Sequence, residues 1–305
     1  MELMEKLYRT GQKYYFFLIL GAFFLVNILF MHSFWRELFF DNSKIGARYG
    51  EVFVAEWAMD KVYENIILGR NPFAQSDSVL YPFGTDFTTT DSGNGFFFVL
   101  LRPFLSTHQS LAVIVASGLF FASIGMYLLL RKLGVSKLVS FPMGLAFGYM
   151  TFLMPRMGHL NYTSTYVFPW FFLSALSLIT CNKVKVKLLS SFSTALFFVL
   201  TLYLNLYYFV MLVLSLFFFF IYYLFFQRKL LFSTIERNWH YFGLTIFFTG
   251  CFLYPWLVTL YETYLFEGFP KTEGWGGAIG FSSDLFGYFI PSSYSYFLKG
   301  IADFI

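Results

Sequence analysis

The acid best placed for chemistry is Glu51, which begins an amphipathic segment that runs to Leu68. At 100° per residue this segment has an acidic side and an apolar side, and Glu51 falls on the apolar side. A carboxylate held there is partly desolvated, so it is suited to abstract a proton or to stabilise a cation. The alternative is an ordinary first-turn acid that complements the helix dipole. The apolar side consists of Val52, Ala55, Met59, Val62 and Ile66.

The acidic side of the same segment carries Glu56, Asp60 and Glu64 at a spacing of four residues. Like charges at this spacing repel each other on a helix unless water screens them. The pattern therefore predicts that these three carboxylates form a solvated face.

A cation and an imidazole stand close together in the short connection from Pro155 to Asn161. Arginine binds phosphate through two hydrogen bonds and histidine donates a proton or a hydrogen bond, so Arg156 and His159 indicate an anion site. The alternative is that Arg156 extends to lipid headgroups and His159 caps a helix end. Asn161 also opens an Asn-Tyr-Thr glycosylation triplet, but its predicted position at a helix start near the membrane argues against glycosylation.

Asp284 precedes an apolar run that ends at Pro291, a position typical of an N-cap neighbour or of a site acid. Cys181 and Cys251 stand in separate apolar segments, without the spacing of a disulfide framework or of a zinc site. The sequence also has no acidic metal box in a Rossmann-like context and no glycine-rich dinucleotide motif. A nucleotide-linked substrate is therefore not indicated.

These groups belong to a chain of 305 residues that is 58% hydrophobic, 24% aromatic and only 12% charged. The charged fraction is about half of what a water-soluble surface needs, so the composition predicts a protein of the lipid bilayer. It excludes a disordered, a collagen-like or a nucleic-acid-binding protein.

An apolar stretch must be about 20 residues long to cross the hydrocarbon layer as a helix. The alternation of period two that marks a membrane barrel is missing, so the fold is predicted to be an all-α polytopic membrane protein. We predict about seven crossings, at residues 14–38, 109–130, 138–154, 162–180, 188–204, 206–226 and 241–262.

Positive charge gathers at the N-terminus and in alternate connections between these crossings, and this pattern places the N-terminus in the cytoplasm. The first crossing is predicted to be an uncleaved signal anchor, because its apolar run is too long for a cleaved signal peptide. Two long hydrophilic regions, residues 39–108 and 263–305, then lie outside. The first contains the helix from Glu51 to Leu68, expected along the membrane interface, and a short apolar segment at Gly95–Leu105.

Several short motifs follow one another in an order that resembles the GT-C superfamily of membrane glycosyltransferases. The similarity covers nearly the whole chain and points to an uncharacterised bacterial and archaeal branch related to the dolichyl-phosphate-sugar-dependent mannosyltransferases. The motifs are Gly50-Glu51 ahead of Trp57, Asn71-Pro72-Phe73, Tyr81-Pro82-Phe83-Gly84, Gly158-His159-Leu160-Asn161 and Ser283-Asp284-Leu285.

The resemblance implies that a sugar passes, with inversion, from a polyprenyl-phosphate donor to a glycan, lipid or protein acceptor. The reaction would take place on the outer face of a bacterial or archaeal plasma membrane, in the cell envelope, and it leaves open whether a divalent metal takes part. The family's first-loop acid, usually Asp, corresponds to Glu51, with Asp41 and Asp91 as further candidates. Arg156 and His159 would lie near the donor phosphate, and Asp284 and Asn161 in the cavity wall.

By the same resemblance, residues 1–262 form the transmembrane domain, including the first outer loop, and residues 263–305 form an outer region. Proteins of this kind usually continue into a C-terminal part, so the chain is expected to be a fragment or a short divergent member.

One alternative function is a lipid or small-molecule transporter or flippase, in which intramembrane charges would mark the path. Another is a non-catalytic membrane partner protein, whose aromatic helices would face other proteins. The concentration of charge outside the predicted crossings favours an outer-face site.

Overall fold

The computed structural model describes residues 2–40, 50–74, 92–150, 153 and 160–266. Within these ranges every regular element is a helix, which confirms the predicted all-α class. The chain divides into two compact units, residues 1–263 and 264–305, and the contacts described below lie within the first. The helices are α1 (Glu2–Phe30), α2 (His32–Phe40), α3 (Gly50–Ile67), α4 (Gly93–Leu101), α5 (Thr107–Lys132), α6 (Lys137–Gly148), α7 (Leu160–Thr163), α8 (Val167–Thr180), α9 (Val184–Leu204), α10 (Leu206–Phe226) and α11 (Arg228–Phe266).

Among the described residues, five helical stretches are long and apolar enough to cross a membrane. They match five of the predicted crossings and are consistent with an integral membrane protein. The stretches are Thr107–Lys132, Asn161–Thr180, Val184–Leu204, Leu206–Phe226 and Arg228–Glu262. The predicted crossing at 138–154 corresponds to α6, which has only 12 residues and contains Pro142. The predicted crossing at 14–38 corresponds to a shorter apolar stretch, Tyr14–Phe30, and to α2.

Local sequence signals set where the central helices begin. The hydroxyl of Ser106 accepts a hydrogen bond from the Gln109 backbone N–H, and the Gln109 side chain accepts one from the Ser106 N–H. This capping box satisfies two of the free donors at the start of α5. The side chain of Asn205 likewise accepts hydrogen bonds from the backbone N–H groups of Tyr207 and Tyr208, in the first turn of α10. Both helices therefore start where a capping side chain is available.

Helix α6 packs closely along α5 because two glycines face the contact. A Cβ atom on Gly148 would lie 1.9 Å from the Ser123 hydroxyl oxygen and 2.8 Å from the Leu119 carbonyl oxygen. A Cβ atom on Gly144 would lie 2.7 Å from the Ser123 carbonyl oxygen. Small residues four apart let helix backbones approach each other in a membrane, where van der Waals contact has to hold the helices together. These glycines therefore position α6 on α5.

A buried amide joins α1 and α2 to the same helix. The Asn27 side chain donates hydrogen bonds to the Ala116 carbonyl oxygen at 2.9 Å and to the Tyr149 hydroxyl at 2.8 Å. Its oxygen accepts a hydrogen bond from the Trp35 indole N–H at 2.8 Å. Because Asn27 is fully buried, these bonds satisfy polar atoms that would otherwise be costly to remove from water.

The close contact between α5 and α6 predicts that Gly148→Ala destabilises the protein. The added methyl group needs space that Ser123 and Leu119 occupy, so the helices must move apart at a cost of roughly 1–3 kcal/mol. We expect a lower midpoint of thermal unfolding in detergent. The matched control is Gly243→Ala on α11, where nothing lies within 4 Å of an added Cβ atom. Equal stability of the two variants would contradict the packing described here.

Candidate functional site

Helix α3 agrees with the amphipathic segment that the sequence predicts. Met59 and Val62, from the predicted apolar side, are fully buried. A Cβ atom on Gly95 of α4 would lie only 2.7 Å from the Val62 side chain, so glycine allows α4 to pack directly on α3. Glu51 lies in the first turn of α3, and its side chain belongs to the part that the structure leaves undescribed. Because the apolar side of α3 packs on α4, its acidic side faces the start of α5.

The central pair of the site is Glu56 of α3 and His108 of α5. The Oε1 atom of Glu56 lies 2.6 Å from Nδ1 of His108. Glu56 is only 8% exposed, so the prediction that it belongs to a solvated face is wrong. The start of α5 packs over this side of α3 and supplies a hydrogen-bonding partner, an arrangement that the period of a single helix cannot reveal.

Burial raises the pKa of the Glu56 carboxyl above its usual value. The hydrogen bond and the charge interaction with His108 act in the opposite direction, and nearby Asp60 adds a smaller upward contribution. Removal from water disfavours the charged form of a carboxylate, and here this effect exceeds the favourable contact with the imidazole. Shifts of this kind are frequent among groups that transfer protons.

The next turns of α3 carry two further ion pairs. Oδ1 of Asp60 lies 3.6 Å from Nε of Arg102, at the end of α4. Arg102 also donates a hydrogen bond from Nη1 to the Leu105 carbonyl oxygen at 3.3 Å. Glu64 is paired with Lys61 at 2.6 Å on the exposed side of α3. The solvated-face prediction therefore holds for Glu64, while Asp60 is half-buried beside Arg102.

The Asn71-Pro72-Phe73 motif attaches the segment after α3 to α11. The Asn71 side chain donates to the Pro255 carbonyl oxygen at 2.9 Å and to the Thr259 hydroxyl at 3.0 Å. Its oxygen accepts a hydrogen bond from the Phe73 N–H at 3.1 Å. Phe73 is fully buried, and its ring centroid lies 4.8 Å from that of Tyr203. The motif therefore holds the segment after α3 in place, which explains its turn-like composition.

A cavity of about 430 Å³ lies between α4, α5, the segment that leads into α8, and α9. Its wall is largely apolar, and Ser117, Thr163 and Ser164 also line it. On α4 the cavity is lined by Leu101, whereas Gly95 and Arg102 of the same segment contact α3. The larger apolar residues in the wall include Phe97, Leu101, Val113, Phe121, Trp170 and Phe197.

Most of the site residues that the sequence predicts lie outside the described ranges: Asp41, Asp91, Arg156, His159 and Asp284. Asn161 is described, and its carbonyl oxygen accepts a hydrogen bond from the Asn205 side chain at 3.4 Å. It therefore links α7 to the start of α10. The predicted meeting of Glu51, His159 and Asp284 in one pocket stays a prediction. Within the described ranges, no three His, Cys, Asp or Glu side chains are placed to share a metal ion.

Sequence reasoning did not single out His108 and Arg102 as site residues. Both follow short apolar or polar runs near the start of α5, with no motif of their own. The sequence feature that could have indicated them is their position beside the capping residues of α5, because a residue next to a capped helix start is held rigidly. Only the packing of α4 and α5 on α3 brings them to the acidic side chains.

A helical membrane protein with an ionisable cluster and an apolar cavity is the class that these features define. The chain belongs to the family described as a domain of unknown function, DUF6311, whose model matches residues 62–304. This match includes Arg102, His108 and the whole described cavity wall. No curated protein and no solved structure matches the chain.

Burial of Glu56 predicts how the stability of the protein depends on pH. The pKa of the Glu56 carboxyl is raised in the folded state, so the folded protein binds this proton more tightly than the unfolded chain does. The resulting contribution to the free energy of unfolding is fully present below the unfolded pKa of about 4.5 and is lost as pH rises through the folded pKa. We expect Glu56→Gln to remove this contribution, so its unfolding midpoint should decline less than that of the wild type from acidic to neutral pH. Glu64→Gln, an exposed acid on the same helix, is the control. If the unfolding midpoints of wild type and Glu56→Gln changed with pH in the same way, the buried Glu56 carboxyl would not be the cause of the pH dependence.

Proposed function

We propose that this protein is a GT-C-type membrane glycosyltransferase that uses a polyprenyl-phosphate-linked sugar as its donor. The supporting observation is the largely apolar cavity of about 430 Å³ between α4, α5, the segment that leads into α8, and α9. Its volume falls within the range of small-ligand sites. The apolar chain of a lipid-linked sugar suits such a wall, and the cluster of Glu56, His108, Asp60 and Arg102 supplies ionisable groups on other faces of the same helices.

In this reaction the leaving group already carries its negative charge as a phosphate, and the transition state has oxocarbenium-like character. A base must take the proton of the acceptor hydroxyl, which contributes roughly 10²–10⁴-fold to the rate. Cationic groups must hold the phosphate. The resemblance gives Glu51, Asp41 and Asp91 as candidates for the base.

The remaining assignments also come from the resemblance. Arg156 and His159 hold the donor phosphate, while Asp284 and Asn161 belong to the cavity wall. The reaction proceeds with inversion on the outer face of a bacterial or archaeal plasma membrane, and the acceptor is a glycan, a lipid or a protein.

The proposed topology has about seven crossings and a cytoplasmic N-terminus. Helix α1, with 29 residues, is roughly 43 Å long at 1.5 Å per residue, which is enough to cross a bilayer. The short helix α6 lies against the spanning helix α5 through Gly144 and Gly148. With α1 and α6 counted as crossings, the connection from α2 to α5 and the region 263–305 lie on the same outer side.

A specific observation favours a transporter or flippase as the second candidate. Lys187, expected in a cytoplasmic connection, is instead buried between α9 and α11 and donates to the Asn238 side-chain oxygen at 2.5 Å. Buried intramembrane charges are typical of translocation paths. However, the hydroxyls of Thr245 and Thr249, further along α11, donate to carbonyl oxygens one turn back on their own helix. Because these hydroxyls are already paired, the polar residues between α9 and α11 are a weaker basis for a function than the cavity and the ionisable cluster of α3 to α5.

The transferase proposal is tested with purified protein in nanodiscs and a panel of radiolabelled polyprenyl-phosphate sugars. Within that assay we expect Val113→Trp, which fills part of the cavity, to raise the KM for the donor at least tenfold with little change in the KM for the acceptor. The indole occupies space that the donor's apolar chain needs. Val210→Trp is the matched control, because Val210 is on the exposed face of α10.

Two outcomes would count against this proposal. If no donor in the panel supports transfer by the wild type, the transferase assignment fails. If Val113→Trp behaves like Val210→Trp in an active enzyme, the cavity is not the donor site.

A further inference from the structure

We propose that His108 is the general base of the transfer reaction and that Glu56 is the positioning residue that orients its imidazole ring. This inference rests on the proposed function. It assigns the base to a residue at the end of the first outer loop, in place of the three acids that the resemblance suggests.

The first argument is the identity of the two bonded atoms. Glu56 Oε1 lies 2.6 Å from His108 Nδ1, and a carboxylate accepts hydrogen bonds but does not donate them. When Glu56 is ionised and the imidazole is neutral, Nδ1 therefore carries the proton and Nε2 keeps its lone pair. A carboxylate that fixes one ring nitrogen in this way leaves the other ready to take a proton, as in the triads of acyl-transfer enzymes.

The second argument is access. The Glu56 side chain is 10% exposed, whereas the His108 side chain is 31% exposed. A bulky acceptor can therefore reach the imidazole more readily than the carboxylate behind it. The neighbouring acids are already paired, Asp60 with Arg102 and Glu64 with Lys61. Among the described residues, none is hydrogen-bonded to the Nε2 atom of His108.

The third argument is rigidity. The capping box of Ser106 and Gln109 flanks His108 and holds this turn of α5 in place. A base that is held in one position can act on a substrate proton without the cost of first ordering its own helix turn.

The proposed step is balanced in atoms and charge. The acceptor oxygen forms a bond to the anomeric carbon while the bond from that carbon to the phosphate oxygen breaks. The electron pair of the broken bond leaves with the polyprenyl phosphate, which gains one negative charge. The proton of the acceptor hydroxyl passes to Nε2 of His108, and the resulting imidazolium is stabilised by Glu56. Water then removes this proton and restores the base.

The test is steady-state kinetics of wild type and variants in nanodiscs, with the best donor from the panel. We expect His108→Ala to lower kcat by about 10²–10⁴-fold with both KM values changed less than threefold. Added imidazole should restore part of the turnover of His108→Ala, because the free base can occupy the vacated space. A purely structural role for His108 would not produce this rescue.

Glu56→Gln tests the positioning role separately. The amide can donate a hydrogen bond and favours the wrong tautomer of the ring, so we expect a large loss of kcat that Glu56→Asp partly restores. His240→Ala is the matched control, because His240 is exposed on α11 and lies against Trp239.

The outcomes separate the inference from the function on which it rests. A wild type that transfers no sugar overturns both. An active wild type with unchanged kcat in His108→Ala, or with a loss that imidazole does not restore, overturns the base assignment alone. Loss of turnover in Glu51→Gln together with full activity in His108→Ala would return the role to Glu51.

Discussion

Close backbone approach along α5 is the constraint on which the rest of the described structure depends. In a bilayer the lipid chains are as apolar as the side chains, so helices associate through van der Waals contact and hydrogen bonds. Glycines allow this contact on two sides of α5. Gly144 and Gly148 bring α6 to one side, and a Cβ atom on Gly125 would lie 2.8 Å from the Trp170 indole nitrogen of α8 on another. Helix α5 therefore acts as a common support for both neighbours.

The ionisable groups meet at the N-terminal end of this helix. Because α5 is held along its length, its first turn is a rigid platform for His108. Helices α3 and α4 pack there, and Val62 against Gly95 sets the distance between them. Glu56 of α3 then reaches His108, and Asp60, one turn further along α3, reaches Arg102. The apolar cavity is lined by other faces of α4 and α5.

The resemblance to GT-C enzymes and the described geometry support the same general proposal through different residues. The resemblance emphasises Glu51 and the connection that contains His159, whereas the described helices emphasise Glu56 and His108. Both emphasise an acidic residue of α3 together with a histidine. Membership in the DUF6311 family is compatible with this proposal but assigns no activity.

The sequence alone determined the helical membrane class, because long apolar stretches with little charge can satisfy their backbone groups in lipid only as helices. It also determined the amphipathic helix α3 and the capped starts of α5 and α10, since both depend on residues that are close along the chain. The burial of Glu56 and Lys187 was decided by tertiary structure. Each of these charged residues is covered by a helix that is distant in sequence, His108 lying 52 residues after Glu56 and Asn238 lying 51 residues after Lys187. Local periodicity shows which residues share a face, but the partner of that face depends on how separate helices pack.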